Sequence, residues 1–321
     1  MSDAGGWRAE NPLERPAGEQ GFIVLDGGLA TTLEARGFDL DDPLWSARVL
    51  LEAPEAIRRV HLDFLEAGAD CIVTASYQAT LEGFRRRGLG RGEAEELLRR
   101  SVELGLEARD VFWSEPRNRE GRVRPLVAAS VGPYGACLAD GSEYTGDYDL
   151  DEEGLYAFHR PRWRILAGAG ADLLACETLP SRPEARALLR LLEESQGTWA
   201  WMSFACRDGT RIADGSRFEE VVRDCDAADG VAAVGVNCTA PANVSSLLRA
   251  ARSVTDRLLL AYPNSGATWD GVRKAWSADP AALDWGTAAL EWRGAGATAI
   301  GGCCRVGPEE VASVRRALGA A

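Results

Sequence analysis

The feature that most restricts the fold is an alternation of short apolar runs with helical segments along the whole chain. Such alternation predicts a parallel sheet, because parallel strands are joined by crossovers that are usually helices. Eight repeats favour an α/β fold closed into a single-domain (β/α)8 barrel of the TIM type. We predict strands at 22–25, 71–73, 125–131, 171–175, 198–204, 231–236, 258–262 and 298–300.

Helical patterns occupy the segments between these runs. Pro54 and Pro308 fall at the first turn of two of them, where proline is well tolerated. The main alternative is an open doubly wound sheet, but the chain lacks the G-x-G-x-x-G loop typical of that fold. We expect one barrel domain over residues 21–319, preceded by a loose tail over 1–20. The predicted helices are 29–36, 54–67, 93–112, 155–168, 183–194, 218–226, 243–252, 283–293 and one that begins at 307–310.

Chemically reactive residues gather at the ends of the predicted strands. In a barrel of this kind the carboxyl ends of all strands meet at one face, which carries the active site. Residues far apart in the sequence can therefore share one site. The strand-end residues are Asp26, Thr74, Glu177, Asn237, Cys238, Asn264, Cys303 and Cys304.

Three of these strand-end residues are cysteines, and together they suggest a metal site. Cys303 and Cys304 are adjacent, and neighbouring side chains on a strand point to opposite faces. Both can reach one metal only if the backbone leaves strand geometry, and Gly301 and Gly302 tolerate unusual dihedral angles. With Cys238 they offer three thiolates and an open position, which suits a catalytic zinc ion. Buried apolar cysteines or a strained vicinal disulfide are the alternatives.

Composition restricts the possible partners. The net charge of −13 opposes nucleic-acid binding, and no apolar run is long enough to cross a membrane. Residues 1–20 do not resemble a secretory signal, so we expect a cytoplasmic protein whose eight cysteines are thiols or metal ligands rather than disulfides. No long heptad pattern indicates a coiled-coil partner, which leaves small molecules as the expected partners.

Several motifs stand at or near the predicted strand ends. They are Asp26-Gly27-Gly28, Thr74-Ala75-Ser76-Tyr77-Gln78, Gly141-Ser142-Glu143-Tyr144, Cys176-Glu177-Thr178, Gly235-Val236-Asn237-Cys238, Tyr262-Pro263-Asn264-Ser265-Gly266 and Gly301-Gly302-Cys303-Cys304. Together these motifs resemble one known family, the homocysteine S-methyltransferases, from about residue 21 to residue 318. The loop around Glu143 and the 262–266 segment are most similar to the S-methylmethionine-dependent branch of that family.

The resemblance implies a zinc-dependent enzyme with a (β/α)8 barrel. It would transfer a methyl group from a sulfonium donor, S-methyl-L-methionine first, to the thiolate of L-homocysteine, and so make methionine. The resemblance assigns zinc to Cys238, Cys303 and Cys304. It places Asp26 and Glu177 near the homocysteine amino group.

Further substrate contacts are expected around this centre. The resemblance also places backbone amides around Gly27 and Gly28 near the homocysteine carboxylate. Asp26 and Glu177 also have a simpler interpretation, in which each caps the helix that follows its strand. Asn237 could orient a metal ligand or form a local turn. The other expected contacts are Thr74, Tyr77, Asn237 and Asn264.

The donor sulfonium loses its charge in the transition state, so a strong anion beside it would stabilise the ground state more. Aromatic faces are milder partners, and core packing is the alternative for each of them. The candidates are Tyr77, Tyr134, Tyr144 and Trp45.

The remaining thiols and both histidines receive simpler interpretations. Cys176 and Cys206 lie near the predicted site without an assigned role. We expect the other three cysteines to pack in the core or in loops, and neither histidine to be a ligand or a base because both fall within helical patterns. These residues are Cys71, Cys137, Cys225, His61 and His159.

Three alternative functions stay open from the sequence. S-adenosylmethionine could be the donor, and selenohomocysteine or selenocysteine could be the acceptor, because zinc also accepts a selenolate. A barrel with a structural metal or a thiol-sensor site, and no methyl transfer, is the alternative of a different class.

Overall fold

Eight parallel strands form the centre of the molecule in the computed structural model, which describes residues 10–40, 46–138, 140–266, 269–270, 275–276 and 283–321. The eight are β1 (Ile23–Val24), β2 (Cys71–Val73), β3 (Leu126–Val131), β4 (Leu173–Leu179), β5 (Ala200–Phe204), β6 (Val231–Asn237), β7 (Leu258–Tyr262) and β10 (Ala299–Ile300). The other two strands, β8 (Trp269–Asp270) and β9 (Ala275–Trp276), form a small antiparallel pair after β7.

The strand order shows how the sheet closes. Neighbouring strands run β1, β10, β7, β6, β5, β4, β3 and β2, and all these pairs are parallel. A parallel bridge between Leu25 and Cys71 joins the two ends of this order. The predicted (β/α)8 barrel is therefore confirmed.

Side chains alternate between the barrel interior and the layer beneath the helices. On β4, Leu173 and Ala175 pack in the interior group, whereas Leu174 and Cys176 pack in the larger cluster that includes helix residues. This alternation is the period of two that a strand imposes. Both faces are apolar because both are covered, which explains the near-continuous apolar runs in the sequence.

Thirteen α-helices are present in the described part of the chain. Pro54 and Pro308 begin α4 and α13 as predicted, and α8 continues across Pro161. The short helices α1, α3, α5 and α7 have no counterpart among the predicted segments. The bounds are α1 (Glu14–Gln20), α2 (Leu29–Ala35), α3 (Ser46–Glu52), α4 (Pro54–Ala67), α5 (Leu81–Arg86), α6 (Arg91–Ser114), α7 (Tyr134–Leu138), α8 (Glu152–Ala167), α9 (Arg182–Glu194), α10 (Phe218–Ala227), α11 (Pro241–Arg252), α12 (Trp285–Gly294) and α13 (Pro308–Ala320). Short 3-10 helices occur at Pro116–Arg119 and Ser142–Tyr144.

Residues 10–20 differ from the expected loose tail. They include α1, and Leu13 is fully buried among the side chains of the barrel interior. The Asn11 amide donates to the carbonyl oxygen of Ala232, near the start of β6, at 3.0 Å. This segment therefore packs at the end of the barrel opposite the strand-end motifs. A polar composition concealed it, because a single apolar residue makes the main contact.

None of the helices in the described ranges combines the length and the apolar character that a bilayer crossing requires.

Candidate metal and substrate site

Three thiols meet at the carboxyl ends of β6 and β10. The sulfur atoms of Cys238, Cys303 and Cys304 all lie within 4.8 Å of one another, and those of Cys238 and Cys304 are 3.7 Å apart. Two sulfurs bound to one tetrahedral zinc at ~2.3 Å would be separated by about 3.8 Å. The spacing therefore fits a metal bound by all three sulfurs.

The backbone leaves strand geometry before the paired cysteines, as predicted, but the two glycines act differently from the prediction. Neither Gly301 nor Gly302 has a positive φ. A Cβ at Gly301 would lie 2.7 Å from the Asp26 carbonyl oxygen, and one at Gly302 would overlap Val306. These glycines are required because the chain packs closely there, and not because their dihedral angles are unusual.

Cys238 itself adopts a left-handed backbone conformation, with φ of 44°. This region is unfavourable for residues with a side chain and costs on the order of 1–3 kcal/mol. Thr178, at the end of β4, has a similar φ of 58°. These two residues lie at the ends of β4 and β6, which are separated by β5 alone, and strain of this kind concentrates at functional sites.

The thiols influence one another strongly. The hydrogen bond with Cys238 raises the pKa of Cys303 well above the usual thiol value, and burial adds to the effect. Thiolates this close together repel one another unless a cation compensates their charge. The cluster is therefore suited to holding a metal cation, which favours deprotonated sulfur.

Asn237 forms a hydrogen-bond network beside the three thiols. It is fully buried, and its Nδ2 donates to the Thr178 hydroxyl at 2.7 Å and faces the Cys303 sulfur at 3.9 Å. Its Oδ1 accepts from the Thr178 amide at 2.7 Å and from the Ser203 hydroxyl at 2.9 Å. Both ends of the amide are thus engaged within the protein. Asn237 is better described as a residue that positions Cys303 than as a substrate contact.

Thr178, Ser203, Ser130 and Tyr262 are site residues that sequence reasoning did not select. Ser203 lies inside β5, where an apolar residue would be usual, and it also hydrogen-bonds the Tyr262 hydroxyl. A buried polar residue within an apolar strand was the available signal for Ser203 and Ser130, since buried hydroxyls need partners.

Asp26 and Glu177 lie close together at the carboxyl ends of β1 and β4. Burial raises the pKa of Asp26 well above its usual value, the Val73 amide opposes this by donating to its carboxylate at 2.8 Å, and the charge of Glu177 raises it further. Burial also raises the pKa of Glu177 to about 7, against hydrogen bonds from Ser130 and Tyr262. Neither acid caps a helix, so the capping alternative is wrong for both.

Two residues expected to contact substrate, Gly28 and Thr74, form hydrogen bonds within the protein, and their substrate contacts stay predictions. The Gly28 amide donates to the Val306 carbonyl oxygen at 2.9 Å. The Thr74 hydroxyl contacts the Ser76 hydroxyl at 2.8 Å and accepts from the Ser130 amide at 3.1 Å. Gly27 is required for packing, because a Cβ there would overlap the Val306 carbonyl oxygen.

The segment 140–151 brings further groups to the cysteines. Burial raises the pKa of Tyr144 well above its usual value, followed by the charges of Cys304 and Cys238. Burial also raises the pKa of Tyr77, and the charges of Glu143 and Cys238 add to this effect. A hydrogen bond with Thr178 opposes it. The thiols therefore act electrostatically on both tyrosines, which lie near the sulfur cluster.

The other aromatic candidates differ. Tyr134 packs edge-on against Tyr148 and Phe158, with centroids 5.3 and 4.9 Å away, which is a packing role. The Tyr148 hydroxyl donates to Glu184 at 2.8 Å and ties the segment to α9. Trp45 lies outside the described residues.

Asn264 forms a local turn, in which its Oδ1 accepts from the Gly266 amide at 2.9 Å. Asn264 is partly exposed, and the substrate contact expected of it stays a prediction.

All eight cysteines are free thiols, so the vicinal disulfide is not formed. Within the described ranges, Cys238, Cys303 and Cys304 are the one group of three close metal-ligand side chains, and it includes neither Cys176 nor Cys206. His159 is buried and hydrogen-bonds Glu184 at 2.7 Å, away from the sulfurs.

Known proteins share this architecture. The sequence model of a family described as homocysteine S-methyltransferase matches residues 23–318. Homocysteine S-methyltransferase YbgG of Bacillus subtilis (strain 168) is 47% identical over 304 residues, which cover 95% of this chain and 96% of that protein. The crystal structure of the homocysteine methyltransferase MmuM from Escherichia coli in its oxidized form has a TM-score of 0.86 and 45% identity, and the match covers 96% of this chain and 99% of that one. Its metallated form has a TM-score of 0.85 and 45% identity, with 95% and 99% covered.

These relatives match almost the full length of the chain, and the strand-end cysteines lie where a metal can be held. The chain belongs to the homocysteine S-methyltransferase family and is an enzyme that methylates homocysteine.

Proposed function

We propose that the enzyme holds zinc through Cys238, Cys303 and Cys304 and transfers a methyl group from S-methylmethionine to homocysteine, giving methionine. The observation that carries the proposal is the cluster of three sulfurs within 4.8 Å at the mouth of the barrel. A metallated structure of MmuM, at 45% identity, supports a metal in this chain.

The chemistry of the ligands favours zinc. Soft thiolates select zinc or copper(I) over magnesium, calcium or manganese, and a catalytic zinc site keeps a position open for substrate. When bound, the ion would supply the charge that keeps the homocysteine thiol deprotonated near neutral pH. Free thiols also need a reducing compartment, which supports a cytoplasmic location.

Asp26 and Glu177 form the acceptor side of the site in this proposal. Both carboxyls are buried beside the cysteines, and an ionised carboxylate there is costly without a cationic partner. The ammonium group of homocysteine supplies that partner. The contacts from Val73 to Asp26 and from Ser130 to Glu177 fix the two side chains before substrate arrives.

Tyr77 and Tyr144 form the donor side in this proposal. Both side chains lie near the sulfur cluster, and burial keeps both phenols in the neutral form. A neutral aromatic surface attracts a sulfonium without the strong ion pair that would oppose loss of its charge. The main contribution of the residues is then to align the donor methyl group with the acceptor sulfur.

An assay with isotopically labelled donors tests the proposal. Purified protein, homocysteine and S-methylmethionine carrying a labelled methyl group should give labelled methionine by mass spectrometry. Faster labelling from S-adenosylmethionine would contradict the proposed donor, and preference for a selenol acceptor would contradict the proposed acceptor. No labelled product from any combination would favour a structural or sensory metal site.

The raised pKa of Glu177 predicts a pH dependence. In the free enzyme the carboxyl is mostly neutral below about pH 7 and ionised above it. Only the ionised form pairs with an ammonium group, so kcat/KM for homocysteine should rise with pH through about 7. Glu177→Gln should lose this rise and reduce kcat/KM on the order of 10-fold or more, since bonds to charged groups contribute about 1.5–3 kcal/mol.

A pH profile of Glu177→Gln that keeps the inflection of the wild type would show that another group titrates. Glu184→Gln is unsuitable as a control because Glu184 anchors the 140–151 segment. Glu219→Gln, a surface change on α10, serves instead, and its profile should match the wild type.

A further inference from the structure

One carboxylate near the cysteines has no function in the site described above. Glu143 lies in the 3-10 helix Ser142–Tyr144, and its Oε2 atom is buried. Across the ranges that the structure describes, this oxygen has no hydrogen-bond partner. Burial raises the pKa of Glu143 to about 7. A buried carboxylate oxygen without a donor is unfavourable, so its retention at this place calls for a ligand that supplies one.

The electrostatic surroundings locate Glu143 on the tyrosine side of the site. After burial, Glu143 has the largest effect on the pKa of Tyr77, larger than that of Cys238 or Glu177. Tyr144 is the next residue, and after burial the charges of Cys304 and Cys238 contribute most to its raised pKa. Glu143 therefore lies near the same two tyrosines, Tyr77 and Tyr144.

The other two acids occupy a different part of the site. The charge of Glu177 raises the pKa of Asp26. Both carboxylates accept hydrogen bonds from strand residues, Asp26 from Val73 and Glu177 from Ser130. The acids thus form two groups: Asp26 and Glu177 at the strand ends, and Glu143 on the 140–151 segment. A reaction between two amino acids presents two ammonium groups. The pair formed by Asp26 and Glu177 suits the ammonium group of the acceptor.

We propose that Glu143 binds the α-ammonium group of the methyl donor and makes the enzyme selective for sulfonium donors that are amino acids. This inference rests on the proposed methyl transfer from a sulfonium to homocysteine. An ammonium group supplies the N–H donors that the buried oxygen lacks, in a charge-assisted bond.

The chemistry of the transfer also assigns the kinetic effect. The sulfonium loses its charge during transfer, whereas the ammonium group of the same molecule keeps its charge throughout. Pairing with the ammonium group therefore stabilises the ground state and the transition state equally, and such uniform binding lowers KM without changing kcat.

Glu143→Gln tests the inference with the metal-loaded full-length enzyme. KM for S-methylmethionine should rise on the order of 10-fold or more, with kcat and KM for homocysteine unchanged. With dimethylsulfoniopropionate, a sulfonium donor without an ammonium group, KM should not change. Glu143→Asp, which keeps the charge, should recover part of the affinity for S-methylmethionine.

Asp149→Asn is the matched control, because it removes one negative charge from an exposed position of the same segment. It should behave like the wild type with both donors. Metal content measured for every variant separates a donor effect from a damaged sulfur cluster.

Two results would overturn the inference. In the first, Glu143→Gln leaves KM for S-methylmethionine unchanged. In the second, it raises KM for homocysteine or for dimethylsulfoniopropionate equally. If the wild type instead uses S-adenosylmethionine and not S-methylmethionine, the proposed donor fails but the inference does not, because that donor also carries an α-ammonium group and the same comparison applies.

Discussion

Replacing Cys238, Cys303 or Cys304 with alanine, one at a time, is expected to abolish both metal retention and methyl transfer. The three sulfurs lie within 4.8 Å of one another, so each would hold the same ion. Two remaining thiols form a much weaker site, and the ion would be lost during purification. Elemental analysis of the purified variants and the labelled-methyl assay measure the two losses.

Thermal unfolding gives a measure that does not depend on activity. A ligand that binds only the folded state stabilises it by about 2.7 kcal/mol at 100 times its dissociation constant. The midpoint of wild-type unfolding should therefore fall when a chelator is added. The three alanine variants should unfold at the same temperature with and without the chelator.

Cys206→Ala is the control for these variants, since Cys206 lies at the end of β5 but outside the sulfur cluster. It should keep a full complement of metal and near-normal turnover. Full metal content together with normal turnover in Cys304→Ala would exclude that residue from the site.

Replacing Asn237 with alanine is expected to have the next largest effect. The change removes the amide that faces the Cys303 sulfur and leaves the Thr178 amide and the Ser203 hydroxyl without their acceptor. Losses of such supporting contacts typically reduce metal affinity by about 10–100-fold. Competition with a chromogenic chelator measures the affinity, and urea unfolding measures the accompanying loss of stability.

Ser203→Ala provides the comparison for Asn237, because it removes one of the same hydrogen bonds and leaves the contact with Cys303 in place. Its metal affinity should stay close to that of the wild type. Equal losses of affinity in Ser203→Ala and Asn237→Ala would show that general loosening of the core, and not support of Cys303, is responsible.

The sequence was sufficient to predict the barrel and the meeting of the three cysteines. Element type follows from local periodicity, and the eight alternations of strand and helix leave few topologies for a parallel sheet. In a closed barrel every strand ends at the same face, so a cysteine after β6 and a pair after β10 share one face whatever their separation in sequence, and only β7 separates the two strands.

Only the tertiary structure decided what the neighbouring polar residues do. Asn237 and Thr178 are 59 positions apart, and their pairing depends on the register between strands, which no local pattern encodes. The structure likewise showed that Gly301 and Gly302 serve close packing, that Leu13 packs in the barrel interior, and that Glu143 has a buried Oε2 atom near Tyr77. Local sequence determines which elements form, whereas contacts between distant side chains exist only once those elements have packed.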